Sequence, residues 1–180
     1  MSRRLRERAA APKPDNPLDR HKGLPEDVEG ALKNVNSSRF NTGPEWGNNC
    51  TNTSLAYELR RRGYDVTASP RATGRPLSAI VDKWGIQPSQ VRMTTALQMS
   101  KAAQQMGEGA RGVITVVWKG RGAGSHILNW EVRGGQIIFP DAQPGRFFTL
   151  DELRNRARSE VYWWRVDDLP IPPDLTDWVR

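Results

Sequence analysis

Helical patterns crowd the first half of the sequence and β-branched runs the second, an order that predicts an α+β fold with a mostly antiparallel sheet. Two stretches carry this prediction. Gly112-Val113-Ile114-Thr115-Val116-Val117-Trp118 is a continuous apolar run of the kind that occupies the middle of a sheet. Ser125-His126-Ile127-Leu128-Asn129-Trp130-Glu131-Val132 and Gln136-Ile137-Ile138-Phe139 are joined by Arg133-Gly134-Gly135, the signature of a hairpin.

The other elements follow in chain order. Residues 1–22 hold seven basic side chains against three acidic ones and include Ala9-Ala10-Ala11-Pro12-Lys13-Pro14, so they read as a basic, Pro-rich flexible arm. A single folded domain is expected over 23–180, because 180 residues with 37% hydrophobic content and seven tryptophans supply one ordinary core. Pro25 to Lys33 predicts a short helix with acids in its first turn, where the helix dipole favours them. Asn34 to Gly47 is rich in Asn, Ser, Gly and Pro and reads as a loop. An amphipathic helix should then open at Cys50, turn Leu55, Tyr57 and Leu59 inward, and end on Gly63 as C-cap. Tyr64 to Ala68 predicts a short strand halted by Ser69-Pro70. Leu77 to Trp84 and Thr94 to Met106 have helical periodicity, the second with Leu97, Met99, Ala102 and Ala103 as core. Leu150 to Ala157 predicts a helix and Val161 to Val166 a last strand.

Charge and cysteine usage narrow the function. The formal charge is +7, but beyond residue 22 there are 20 basic against 17 acidic side chains, too even for a dedicated nucleic-acid reader. Arg60-Arg61-Arg62 reads as a solvated helix end complementing the dipole, with a phosphate contact as the alternative. No apolar run approaches the roughly 20 residues of a membrane span. The charged start, Met1 to Arg8, lacks the apolar core of a signal peptide. One cysteine cannot form an internal disulfide, so its free thiol suits a reducing, cytosolic compartment. No Cys/His cluster has metal-ligand spacing, and Gly120-Arg121-Gly122-Ala123-Gly124 lacks the Lys-Ser/Thr ending of a phosphate loop. The chemistry anticipated below needs no cofactor.

That chemistry centres on Cys50. A thiol at a helix start meets free backbone N–H groups and the positive end of the dipole, which favour the thiolate. A thiol hydrolase also needs an imidazole to trade protons with the sulfur and a carboxylate or amide to orient the imidazole. His126 and Asp141 flank the open end of the predicted hairpin and would be brought close by it. The Cys50 N–H and the amide of Asn48 or Asn49 are candidates to receive an oxyanion. Each residue also has a plainer reading: Cys50 as a small buried hydrophobe, His126 as a structural imidazole, Asp141 as a turn residue. Gln143 is either a loop hydrogen-bonder or part of the substrate site, and the tryptophans are assigned to core and rim packing.

Three motifs in order extend this reading: Asn49-Cys50 opening a helix that closes on Arg61-Arg62-Gly63-Tyr64-Asp65, then Ser125-His126-Ile127-Leu128-Asn129, then Phe139-Pro140-Asp141-Ala142-Gln143-Pro144-Gly145. Over roughly residues 30 to 168 the chain resembles the papain-fold toxin domains of the glutamine-deamidase type. It departs from them in having Ser125 where members often show Gly, and Ala142 where they often show Pro. The resemblance implies a papain-like fold, Cys50 as nucleophile, His126 as general base and acid, and Asp141 as the residue orienting His126. Asn48, Asn49, Asn129 and Gln143 become the candidates for oxyanion and substrate contacts. The implied activity is deamidation of a glutamine on a target protein, in a toxin or phage-associated setting, with an immunity or inhibitor protein as a further partner and no role for nucleic acid. A cysteine peptidase or isopeptidase with the same three residues is the alternative, and a non-catalytic binding module the next.

Overall fold

The structure, a computed structural model, describes Leu18, Gly23 and residues 25–180. The basic arm expected over 1–22 lies, Leu18 apart, outside the described residues. Helix α1 (Val28–Leu32) is capped by Asp27, whose carboxylate accepts from Gly30 N at 2.7 Å, and runs on into a π-helical turn over Lys33–Ser37. A 3-10 turn at Pro44–Trp46 leads to α2 (Cys50–Arg61), and Gly63 follows α2 at φ 96°, the left-handed conformation that releases a helix end. Then come α3 (Leu77–Lys83), β1 (Arg92–Thr94), α4 (Ala96–Gln104), β2 (Arg111–Val117), β3 (Ser125–Arg133), β4 (Gln136–Asp141), β5 (Arg146–Phe148), α5 (Leu150–Arg156) and β6 (Val161–Arg165).

All six strands form one antiparallel sheet in the order β1-β6-β2-β3-β4-β5. The β-branched run sits at β2, between β6 and β3, and the hairpin is β3–β4, as predicted. Pleating sends alternate side chains to two cores. From β2 and β6, Val113 and Trp164 join Leu55, Leu59, Val66, Ile80 and Trp178 on one face. Ile114, Val116 and Trp163 join Met99, Ala103, Leu128, Trp130 and Leu153 on the other. The sheet is therefore covered on both sides, by α1, α2 and α3 on one and by α4 and α5 on the other.

Several expectations need correction. Tyr64 to Ala68 forms no continuous strand: it makes isolated bridges at Tyr64 and at Ala68, the latter to Val179 of the short segment Trp178–Arg180. The helix predicted from Thr94 begins at Ala96, since Thr95 is its N-cap in a capping box with Gln98 and Arg92–Thr94 pairs with β6. Of the residues assigned to the core of this helix, Met99 and Ala103 are fully buried as expected, but Leu97 is 39% exposed. The short strand β5 was not anticipated.

The largest difference concerns α2. Instead of showing one buried side, every residue from Thr51 to Arg60 is buried. The helix is enclosed by the sheet, by α1 and by the segments around Ser69 and Trp178. Its charged side chains must then find partners within the protein. Glu58, fully buried, receives Arg62 Nε at 2.7 Å and a two-pronged contact from Arg111 at 2.8 and 3.0 Å. Arg61 grips Glu131 of β3 through Nε at 3.0 Å and Nη2 at 2.5 Å, and Tyr57 donates to the same carboxylate at 3.1 Å. Arg60 is held by Glu26 and Asp65. The Arg60-Arg61-Arg62 cluster is thus neither a solvated helix end nor a phosphate contact: all three guanidiniums are paired within the fold.

Removing one member of a buried pair strands the other. Glu131→Gln is expected to lower unfolding free energy by about 3 kcal/mol, whereas Glu29→Gln, in the solvent-exposed pair with Arg133, should leave the unfolding midpoint nearly unchanged. Urea titration of both variants checks the contrast.

Candidate active site

Cys50 is half-buried at the first position of α2. Asn49 stands at the N-cap but makes no capping bond with its side chain. Asparagine usually caps the following N–H groups, so its diversion here leaves the positive end of α2 open toward Cys50. The side chain is spent elsewhere. Its Nδ2 donates to Asn36 Oδ1 at 3.0 Å and Ser69 O at 3.2 Å, and its Oδ1 accepts from Gln143 Nε2 at 3.2 Å.

His126 is the second residue of β3 and Asp141 ends β4. The hairpin brings them together, with His126 Nε2 at 2.7 Å from Asp141 Oδ2. The other Asp141 oxygen accepts from Gln143 N at 3.1 Å, and Asp141 O accepts from Gly145 N at 3.0 Å, so the carboxylate is fixed by the turn that follows it. Gly145 closes that turn at φ 74°, and a Cβ there would stand 2.3 Å from Ser37 Cβ, so only glycine fits. Burial is the largest influence on the His126 pKa and pushes it down. The Asp141 charge and hydrogen bond, and after them the Cys50 sulfur, outweigh burial and lift it from 6.5 to about 10. Trp118 stacks on the ring, centroids 6.0 Å apart.

Cys50 and His126 line one cavity of about 210 Å³. Thr115, Val116, Val117, Ile127 and Tyr162 contribute sheet residues to it, Asn48, Gly74 and Arg75 a loop side, and Leu77 the start of α3. Asp141, 2% exposed, lies behind His126 and does not border this space. A second cavity of about 280 Å³, lined by Phe40, Trp118, Arg146 and Phe148 among others, also touches His126. Histidine 126 is the residue common to the two.

The remaining sequence candidates fall in different places. Asn48 borders the Cys50 cavity and donates through Nδ2 to Ala72 O at 3.1 Å. Asn49 and Gln143 are buried in the amide network behind the Cys50 cavity, and Gln143, like Asp141, also borders the second cavity. Asn129 is 1% exposed, donates to Ser54 O at 3.2 Å and Gly112 O at 3.4 Å, and does not line the cavity. The sequence reading missed Asn36. Its amide donates to Gln143 O at 2.9 Å and Trp46 O at 3.1 Å while accepting from Asn49. A chain of contacts therefore runs Asn36, Asn49, Gln143, Asp141, His126, tying the residue before Cys50 to the carboxylate behind the imidazole. Asn36 and Gln143 are 107 residues apart, so no local pattern signals the link.

Among the described residues no helix is long and apolar enough to cross a membrane. Among solved structures the chain is similar to the G161 variant of the Salmonella effector SpvD, with 18% identity over 82% of each chain and a TM-score of 0.57, a likeness of fold. The R161 variant of the same effector aligns with 16% identity over 76% of this chain and 81% of that one, with a TM-score of 0.47. No curated protein matches. Residues 48–146, from just before Cys50 to just after Asp141, match the family described as "Papain fold toxin 1, glutamine deamidase". Since that match spans more than half of its length, the chain belongs to this papain-fold toxin family.

Proposed function

We propose that the chain is a single catalytic domain over 23–180 that deamidates a glutamine side chain on a target protein through a Cys50 thioester. The observation that carries this reading is the 2.7 Å contact between His126 and Asp141 beside a cavity that His126 shares with Cys50. Asp141 takes Nε2, which leaves Nδ1 as the ring nitrogen to exchange a proton with the sulfur and fixes the ring's orientation. Cys50, as thiolate beside imidazolium, attacks the carboxamide carbon. The oxyanion is received by the Cys50 N–H and the open end of α2, with Asn48 at the cavity edge. As the tetrahedral adduct collapses, His126 gives its proton to the departing ammonia and a thioester remains. Neutral His126 then takes a proton from water, hydroxide adds to the thioester carbon, and glutamate leaves as the thiol is restored. Asn49 and Gln143 act from behind, by holding the segment before Cys50 and the turn carrying Asp141.

The toxin family and the effector fold neighbour support delivery of the domain to another cell and a protecting immunity protein in the producer. A second reading, a cysteine peptidase or isopeptidase, is favoured by the cavity on the far flank of His126, which would let a polypeptide continue past the thiol on both sides.

Bacterial and eukaryotic lysates incubated with wild type or Cys50→Ala, compared by mass spectrometry, test both. A gain of about 1 Da at a defined glutamine, present only with the thiol, is the expected outcome, lost also in His126→Ala and reduced by about 10²-fold or more in Asp141→Ala. New chain termini would replace deamidation by peptide cleavage. No Cys50-dependent change would favour a binding module.

The His126 pKa also sets a pH dependence. Because it is raised on folding, the stability it contributes is complete below about pH 6.5 and disappears as pH rises through about 10. Urea midpoints for wild type and Asp141→Asn, measured between about pH 6 and 10, should converge as the pH rises. A gap that widens with pH would contradict the ion pair.

A further inference from the structure

One side of the Cys50 cavity is built from two loops, 44–48 and 70–75, stitched together by Arg71 N donating to Glu45 O at 2.8 Å and Asn48 Nδ2 donating to Ala72 O at 3.1 Å. The segment Trp178–Arg180 joins them, with Ser69 N donating to Trp178 O at 3.0 Å and Arg180 N to Thr67 O at 2.9 Å. Cations gather on this wall. Arg75 lines the cavity itself, and its guanidinium lies 3.9 Å from the centre of the Trp178 ring. Arg39 and Arg180 approach the Trp46 ring at 5.1 and 4.9 Å, in the turn that leads into Cys50.

The arginines around α2 are all matched to carboxylates. Those of the wall are not: among the described residues Arg39, Arg71, Arg75 and Arg180 form no ion pair. Glu45 is the acid within these segments and Asp177 adjoins the last, where its backbone O accepts from Arg75 Nη2 at 3.1 Å. Burial and the nearby Arg71 hold Arg75 below the ordinary arginine range despite the pull of Asp177, and burial and Arg39 do the same to Arg180. Arg39 Nη1 is shielded from solvent and has no hydrogen-bond partner. Like charges are thus held together in two pairs, Arg71 with Arg75, which lines the cavity, and Arg39 with Arg180 over Trp46, at a cost that a bound anion would relieve. Tryptophan faces hold Arg39, Arg75 and Arg180 in place, which limits the entropy lost when a ligand binds.

We propose that this arginine wall reads carboxylates flanking the target glutamine, so that the protein substrate presents its glutamine within an acidic segment. The inference rests on the deamidase reading and names its substrate class. A guanidinium fork matches a carboxylate with two parallel hydrogen bonds. Successive residues of an extended chain are about 3.5 Å apart, so an acid one or two positions from the glutamine stays near Arg75 while the amide sits at Cys50. Arg71 and Arg39 extend the reading to acids further along.

Short synthetic peptides with one glutamine flanked by aspartates, alanines or lysines provide the test. They are titrated against the full chain carrying Cys50→Ala, followed by tryptophan fluorescence, and offered to the wild type with ammonia release as the readout. The aspartate peptide is expected to bind at least about tenfold more tightly than the lysine peptide, with a gap that narrows as salt rises from about 50 to about 500 mM. Adding Arg71→Glu and Arg75→Glu together should invert the preference, a result that an unfolded variant cannot mimic. Equal binding of the three peptides overturns the proposal, and so does a preference untouched by the double variant. Tighter binding of a uridine oligonucleotide at the same arginines, or turnover of free glutamine as fast as of the aspartate peptide, overturns it as well. Charge-selective binding without ammonia release from any peptide supports the wall's selectivity and counts against deamidation, so the two readings fail separately.

Discussion

The complete enclosure of α2 is the constraint on which the rest of this structure depends. A helix buried on every side can keep charged residues only if each has a partner in place. Here Glu58, Arg60, Arg61 and Arg62 are matched by Arg111, Glu26, Asp65 and Glu131, which come from β2, β3 and the segments flanking α1 and α2. These pairs do more than neutralise charge. Arg61 and Glu131 meet through two hydrogen bonds, which fix α2 in rotation and in height above β3. Since β3 starts at Ser125-His126, the same contacts set where Cys50 stands relative to the imidazole.

At the other end of α2 the means are different. Three buried amides, Asn36, Asn49 and Gln143, satisfy one another and reach Asp141 through the Gln143 N–H. Such a network rigidifies when every member is paired. Its use of Asn49 has a second effect, because the side chain best suited to cap α2 is drawn away and the N–H groups beside Cys50 receive no cap from it. Asp141 is then locked from two sides, by His126 and by its own turn, and the glycine at 145 lets that turn press against Ser37.

The features legible in the sequence were those with a local cause. β2 announced itself as a central strand because its β-branched run is buried on both faces. The β3–β4 hairpin was readable from Gly134-Gly135, and with it the meeting of His126 and Asp141, since a hairpin must bring its open ends together. The short strands β1 and β5, three residues each, exist only because a neighbouring strand supplies their ladder, so nothing in Arg92–Thr94 or Arg146–Phe148 marks them alone. The error at Tyr64–Ala68 has the same origin in reverse: strand-like residues with too short a partner.

By itself the sequence determined the class, the placement of a single thiol at a helix start, and the pairing of one imidazole with one carboxylate, all consequences of periodicity, turn chemistry and a scarcity of candidates. The tertiary structure decided which polar residues serve the site and which serve the fold. Asn48 and Asn49 are neighbours in a polar run, yet one borders the cavity and the other is sealed behind it. Arg61 and Arg75 are both helix-flanking or loop arginines on paper, yet one is clasped by a buried carboxylate and the other faces the cavity with none. A side chain's role follows from the partner it meets, and partners 70 or 107 residues away are set by packing, which no local pattern encodes.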